Sequence, residues 1–270
     1  MVRRLIATDM DGTVLRSDMT VSTRVRDALA AAREAGWIVA PVSGRMPITL
    51  RRVADAAGMR GYALAGNGAV GFRLGEPGWL FERTMGVDAQ TEFVFRMRER
   101  LDGVVVAAVR DGGDTFLPER GYLSMMDPGD HGRNVSEVEE YDLEVVLSKP
   151  AVKMVMRRSD LDAFELLRVA QELAVPGIDV SISGAPFLEI AAEGVNKGAG
   201  LARLAEILGV EQRNVVAFGD HVNDIEMISW AGHGVAMGNA VPGLRAVADE
   251  VAPTNDEDGL AVVLERLLSS

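Results

Sequence analysis

The chain reads as an α/β protein, a doubly wound parallel sheet interrupted by an inserted α+β domain. Three observations carry that expectation. Apolar runs of strand length alternate with amphipathic runs of helix length up to about residue 80, the alternation changes character near Gly86, and it resumes after residue 187. A chain of 270 residues has room for one large domain or two unequal ones, each with a buried core.

The first segment runs strand, helix, strand, helix, strand. Residues 5–8 form an apolar strand that ends on Asp9-Met10-Asp11-Gly12-Thr13. Ser22 caps a helix over 22–35 in which Val25, Leu29 and Ala32 share a face. Gly36 stops it, and 37–42 is continuously apolar, as suits a strand covered on both sides. Pro47 fits the first turn of a helix reaching Ala57 and Gly58, and 62–65 is a third strand ending at Gly66-Asn67-Gly68.

The middle of the chain follows a different pattern. A helix is expected over 92–101 with Val94, Met97 and Leu101 inward, then strands over 104–109 and 150–156 around a polar, turn-rich stretch at 111–150. Ser159-Asp160-Leu161-Asp162 has the form of a capping box. It would open a helix that lines up Ala163, Leu166, Leu167, Ala170 and Leu173. The expected insertion is 84–186, leaving 1–83 and 187–270 as the core. In the returning segment, 198–208 places Leu201, Leu204, Ala205 and Leu208 on one helical face, and Gly209 ends it. A strand at 214–218, a helix to Ala231-Gly232, a strand at 234–237 and helices near 241–248 and 257–268 complete the chain.

Composition narrows the function. A net charge of -12 and a pI near 4.8 argue against nucleic acid as the main partner, because a phosphate backbone needs clustered cations. An anionic small substrate would need local cations that outweigh the overall field. There is no cysteine, hence no disulfide framework and no thiolate or zinc-thiolate chemistry. The apolar run after Met1-Val2-Arg3-Arg4 breaks at Asp9, too early for a signal peptide, and no run approaches ~18 apolar residues. A cytoplasmic enzyme or binding protein, with no membrane partner, is expected. Nothing in the sequence indicates an oligomeric state.

Four places can carry chemistry, three of them at the carboxyl ends of expected parallel strands, where open α/β sheets bind ligands. Asp9 and Asp11 start only ~6–7 Å apart if the strand is regular. That pair fits either an ordinary Asp-Gly turn or a site where a cation separates two acids. Ser43-Gly44-Arg45 sits at a strand–helix junction, which suits an anion as well as a simple helix cap. Lys197 opens a helix, where the dipole disfavours a cation unless it has a special partner. Gly219-Asp220 with Asn223-Asp224 gathers oxygen donors of the kind a hard cation takes, or forms a plain cap. Together they supply a nucleophile, a proton donor, phosphate ligands and metal ligands for phosphoryl transfer. There is no P-loop, and the turn after the first strand, Gly12-Thr13-Val14, lacks the G-x-G-x-x-G fingerprint of dinucleotide binding. His131, His221 and His233 have no metal-ligand spacing, and His221 is expected to face water. Asn67 is expected to shape a turn, and Met125, Met126, Met154 and Met156 to pack.

In order and spacing, Asp9-Met10-Asp11-Gly12-Thr13, Ser43-Gly44-Arg45, Lys197-Gly198 and Gly219-Asp220-x-x-Asn223-Asp224-x-Glu226-Met227 resemble the four motifs of the haloacid dehalogenase-like superfamily, most closely its Cof-type phosphatases. The likeness extends to Asn67-Gly68-Ala69, Leu188-Glu189-Ile190, Gly238-Asn239-Ala240 and Thr254-Asn255-x-Glu257-Asp258-Gly259. The resemblance implies a Rossmann-like core with an inserted cap that sets substrate specificity. It implies a Mg²⁺-dependent phosphatase that hydrolyses a small phosphomonoester, such as a sugar phosphate, through a phospho-aspartyl intermediate. Asp9 would be the nucleophile and Asp11 the acid and base. Ser43, Gly44, Arg45, Lys197 and Asn223 would bind the phosphoryl group. Asp9, the Asp11 carbonyl and Asp220 would hold Mg²⁺, with Asp224 in support. Arg45 would touch either substrate or a structural carboxylate, and Met10, where leucine is usual, would pack. A phosphotransferase or mutase shares this chemistry, and a non-catalytic phosphometabolite binder shares the fold. Arg110, Arg120 and Lys153, and the loops at 110–122 and 181–187, are expected to carry specificity or to be ordinary surface.

Overall fold

The computed structural model describes residues 2–126, 135–182 and 186–269. His131 and residues 183–185 of the expected specificity loop lie outside them. The chain divides into two compact units: residues 1–45, 50–81 and 196–270, and residues 46–49 with 82–195.

The first unit is built on a five-stranded parallel sheet. Strands β1 (Leu5–Thr8) and β2 (Ile38–Pro41) lie side by side. β11 (Val215–Gly219) flanks β1 on its other side, followed by β12 (His233–Ala236) and the two-residue β13 (Glu250–Val251). Every residue of β1 is buried, so a strand with no polar face is what its central position requires. Leu5, Ala7, Val215 and Ala217 pack with Leu201, Leu204 and Leu208 of α6 (Lys197–Leu208) and with Met227 and Ile228 of α7 (Ile225–Trp230). Helix α1 (Thr23–Glu34) packs on the C-terminal α9 (Gly259–Leu268). The Ser22 hydroxyl caps α1 by accepting from the Val25 N–H at 3.0 Å, and Val25, Leu29 and Ala32 are buried as the periodicity predicts.

The order β13-β12-β11-β1-β2 places the carboxyl ends of β1, β2 and β11 next to one another. β3 (Gly61–Ala65) joins the edge of β2 through a parallel bridge from Val42 to Leu64. It then turns antiparallel onto β4 (Val70–Leu74), in a small sheet completed by β5 (Trp79–Glu82). The sequence did not signal β4 and β5. Helix α2 (Pro47–Ala56) begins at its proline, as expected, whereas α8 (Pro242–Arg245) is shorter than the 241–248 helix anticipated.

The second unit is an antiparallel sheet with helices, the α+β pattern anticipated for the insertion. Its strands are β6 (Val105–Arg110), β7 (Thr115–Pro118), β8 (Lys153–Arg157), β9 (Ile178–Ser181) and β10 (Leu188–Ala192), in the order β7-β6-β8-β10-β9. Phe93, Val94 and Met97 of α3 (Val87–Arg100) share a core with Leu166, Val169 and Ala170 of α5 (Ala163–Leu173). Met154 and Met156 pack in that core, and Val146 of α4 (Leu143–Leu147) joins it.

Three details depart from expectation. Residues 187–195, placed with the core from the sequence, belong to this second unit because β10 pairs with both β8 and β9. Helix α3 starts five residues before the expected 92, since buried Gln90 interrupts the apolar face and instead donates to the carbonyls of Leu147 and Lys149 at 3.0 and 2.8 Å. The capping box is three residues further on: Asp162 accepts from the Glu165 N–H at 2.8 Å, and the Glu165 carboxylate accepts from the Asp162 N–H at 3.0 Å.

Candidate active site

The site lies in the first unit, where β1, β2 and β11 end. Asp9 continues β1 by one residue, its N–H donating to Phe218 O of β11 at 2.9 Å. The chain then turns tightly: the Met10 carbonyl accepts from the N–H groups of Val14 and Leu15 at 3.1 and 2.8 Å, and Met10 itself is fully buried. Gly12 lies in the turn at φ +76°, and a Cβ there would fall 2.3 Å from Asp220 Oδ2. Only glycine permits both that backbone and that approach. Thr13 Oγ1 donates to Asp220 Oδ1 at 3.1 Å, joining the loops after β1 and β11.

Lys197 is the hub. Its Nζ, with no solvent exposure, donates at 2.7 Å to both Asp9 Oδ1 and Asp224 Oδ1. The position follows from α6: Asn196 caps the helix by accepting from the Ala199 N–H at 2.7 Å, and the helix start is drawn close to the turn at Gly68. A Cβ on Gly200 would sit 2.5 Å from the Gly68 Cα, so these two glycines set how deeply the lysine enters. Asp224 is largely engaged, because its Oδ2 accepts from the N–H groups of Asp220 and His221 at 3.0 Å each while Oδ1 accepts from Lys197. It contacts Lys197 and the backbone of the β11 loop together.

Around this hub the remaining residues separate. Ser43 is buried at the end of β2, and its Oγ accepts from the Arg45 N–H at 3.1 Å. Arg45 contacts a carboxylate, but that of Asp11, a candidate acid–base residue, not a structural one: Nε and Nη2 reach Asp11 Oδ2 and Oδ1 at 2.7 and 2.6 Å. Asn223 donates to Asn67 Oδ1 at 3.1 Å, and Asn67 adopts φ +55°, the turn role expected of it. Gly44 lies beside that amide, where a Cβ would be 3.0 Å from Asn67 Oδ1. His221 is exposed. Outside the site, Arg110 is buried and Lys153 partly so, while Arg120 pairs with Asp142 on the surface.

Two braces carried no assigned role in the sequence. Asn239 donates to the Gly12 carbonyl at 2.8 Å, and Asn255 donates to the Leu15 carbonyl at 2.9 Å while its own N–H meets Asn239 Oδ1 at 3.1 Å. They clamp both ends of the turn that carries Asp9 and Asp11. Their only signal was their presence in the strings Gly238-Asn239-Ala240 and Thr254-Asn255.

The electrostatics are unbalanced. Burial is the main force pushing Asp9 up to about 8; Asp224 and Asp220 add to it, and Lys197 opposes it. Burial likewise pushes Asp220 up to about 6, with Asp224 contributing. Burial alone would lower Lys197, but Asp9 and Asp224 outweigh it and hold the ammonium well above its ordinary value. Three carboxylates, from Asp9, Asp220 and Asp224, offer oxygens within 4.8 Å of one another against this single buried cation. No described hydrogen bond reaches Asp9 Oδ2 or Asp220 Oδ2. Hard oxygen donors with surplus negative charge fit a small divalent cation. The Asp11 carboxylate is outside that group because Arg45 holds it.

The fold and this four-loop site define a hydrolase of the α/β class with its chemistry at the strand ends. A family model of haloacid dehalogenase-like hydrolases matches residues 6–264, and the chain belongs to that family. It is 29% identical over 259 residues to 5-amino-6-(5-phospho-D-ribitylamino)uracil phosphatase YcsE of Bacillus subtilis, covering 96% of this chain and 93% of that protein. It is 28% identical over 270 residues to an HMP-PP phosphatase of Yersinia enterocolitica, covering 99% and 96%. A haloacid dehalogenase-like hydrolase from Bacteroides thetaiotaomicron superimposes with a TM-score of 0.78 at 28% identity, over 98% of this chain and 99% of that one. No helix among the described residues is long and apolar enough to cross a membrane.

Proposed function

We propose that the protein is a Mg²⁺-dependent phosphatase that hydrolyses a small phosphomonoester through a phospho-aspartyl intermediate on Asp9. The observation that carries the reading is the buried Lys197, shared at 2.7 Å between Asp9 and Asp224 beside Asp220. Lys197 takes up one oxygen of Asp9 and leaves Oδ2 for attack. The Asp9 O–P bond forms as the ester O–P bond breaks, and Asp11 gives a proton to the departing alcohol. Asp11 then takes a proton from water, whose oxygen displaces Asp9 from phosphorus and yields inorganic phosphate. The Ser43 hydroxyl already accepts from the Arg45 N–H, so its proton is available to a phosphoryl oxygen. Lys197 offsets charge on the transferring group.

Asp9, the Asp11 carbonyl and Asp220 would hold Mg²⁺, with Asp224 beside them in support. When bound, the ion offsets the charge of the acids and of the phosphoryl oxygens. The named activities of the relatives, both phosphatases of phosphorylated small molecules, support the substrate class. The inserted unit is assigned as the cap, with leaving-group selection as its role. Asp9→Asn keeps the shape and removes the nucleophile, so phosphate release from a generic phosphomonoester in saturating Mg²⁺ should fall at least about a thousandfold. An Asp9→Asn protein that still turns over would overturn the assignment.

A further inference from the structure

We propose that Arg45 acts through Asp11: its guanidinium sets the orientation of the acid–base carboxylate instead of binding the phosphoryl group. The inference rests on the acid–base role given to Asp11 above, and adds a positioning residue for it.

Arg45 has a rigid base. Its carbonyl accepts from the Gly66 N–H at 2.9 Å, and its N–H is held by Ser43 Oγ at 3.1 Å. Ser43 in turn is tied to β3 and the turn after it, its N–H donating to Leu64 O and its carbonyl accepting from the Asn67 N–H, each at 3.0 Å. From that base the side chain crosses to the turn after β1. There it meets Asp11 with two parallel N–H···O contacts of 2.7 and 2.6 Å. Such a fork fixes the plane of a carboxylate as well as its place, which a single-point contact does not.

Asp11 needs that help. Asp9 is held by buried Lys197 and Asp224 by two backbone N–H groups, whereas the Asp11 side chain is 45% exposed and its carboxylate has no described hydrogen-bond partner other than Arg45. A flexible carboxylate at the surface would spend most of its time pointing away from the leaving oxygen. Arg45 ties it to the loop that carries Ser43, the expected phosphoryl contact. The same fork occupies both carboxylate oxygens, so one of them must slip free for the proton to pass.

The leaving group separates this from a phosphate-binding role. A simple alkyl phosphate needs its departing oxygen protonated, and p-nitrophenyl phosphate does not. The ratio of kcat/KM for glycerol 2-phosphate to kcat/KM for p-nitrophenyl phosphate therefore reports the acid. In Asp11→Asn that ratio should fall at least about tenfold. In Arg45→Ala and in Arg45→Lys, which keeps the charge but loses the fork, it should fall similarly, and Arg45→Ala should lower it no further in the Asp11→Asn background. If Arg45→Ala and Arg45→Lys depress both substrates equally and leave the ratio as in the wild type, the positioning role is wrong. If Asp11→Asn itself leaves the ratio unchanged, the acid assignment fails instead. Circular dichroism and Tm on each variant establish that the fold is retained.

Discussion

The two units both bury charge, and they do so to opposite ends. In the first unit the charges converge and fail to balance: Asp9, Asp220 and Asp224 face one Lys197, and burial, with the neighbouring acids adding to it, pushes Asp9 and Asp220 up. In the inserted unit two partly buried cations meet acids and the buried Arg110 is held by carbonyls. Lys153 contacts Glu189 at 2.5 Å, Arg98 pairs with Glu119, and Arg110 donates to the carbonyls of Val146 and Lys149 at 2.6 and 3.0 Å. Balanced pairs tie strands and helix ends together. An unbalanced cluster lowers stability unless something else binds, and such clusters mark sites of chemistry.

Removing the hub should have the largest effect. Lys197→Met strands two buried carboxylates and should cost about 3–5 kcal/mol of stability. It should also lower kcat/KM at least about a hundredfold. Urea unfolding and phosphate release measure the two losses. A fully stable, active Lys197→Met would erase the distinction between the units.

The matched pair of the inserted unit gives the next effect. Glu189→Leu leaves the partly buried Lys153 beside an apolar group and should destabilise by about 1–3 kcal/mol, whereas the double variant Lys153→Met/Glu189→Leu should recover most of that loss. Failure of the double variant to recover would mean that the pair does more than hold β8 to β10.

A smaller effect separates the units by pH. Asp9 and Asp220 are raised in the folded protein, to about 8 and about 6, above the ordinary carboxylate value of 3.8. Between those values the folded state binds more protons than the unfolded state, so the contribution of these groups to stability falls as pH rises from about 4 to about 8. In chelator, wild type should lose more Tm across that window than Asp220→Asn, and Mg²⁺ should remove the difference. Equal slopes in chelator would deny the imbalance. The smallest effect belongs to Arg120→Ala, which breaks an exposed pair with Asp142 and should leave Tm unchanged.

Much of this was legible in the sequence because the core elements obey local rules. Leu5–Thr8, the Ser22 cap and the Leu201/Leu204/Leu208 face follow from periodicity and capping, and their strand ends deliver Asp9, Ser43 and Asp220 to one edge. The partners within the site were not legible. That Arg45 holds Asp11, that Asp224 serves both Lys197 and two N–H groups, and that Asn239 and Asn255 brace the turn all depend on residues far apart in the chain. The inserted unit hid its edge for a related reason. β10 reads as an apolar run adjoining the Lys197 helix, and only its antiparallel pairing shows where it belongs. Buried Arg110 and partly buried Lys153 misled because a charged residue signals its burial through its partner, not through its neighbours in sequence.

The central claim is that Asp9 forms the covalent intermediate. Rapid quench of the Mg²⁺-loaded protein with a phosphomonoester, followed by borohydride reduction of any acyl phosphate and peptide mapping, tests it most directly. Reduction should occur at Asp9, appear within the first turnover, and be absent from Asp9→Asn. Turnover with no reduced residue, or reduction at Asp11, Asp220 or Asp224 instead, would contradict it.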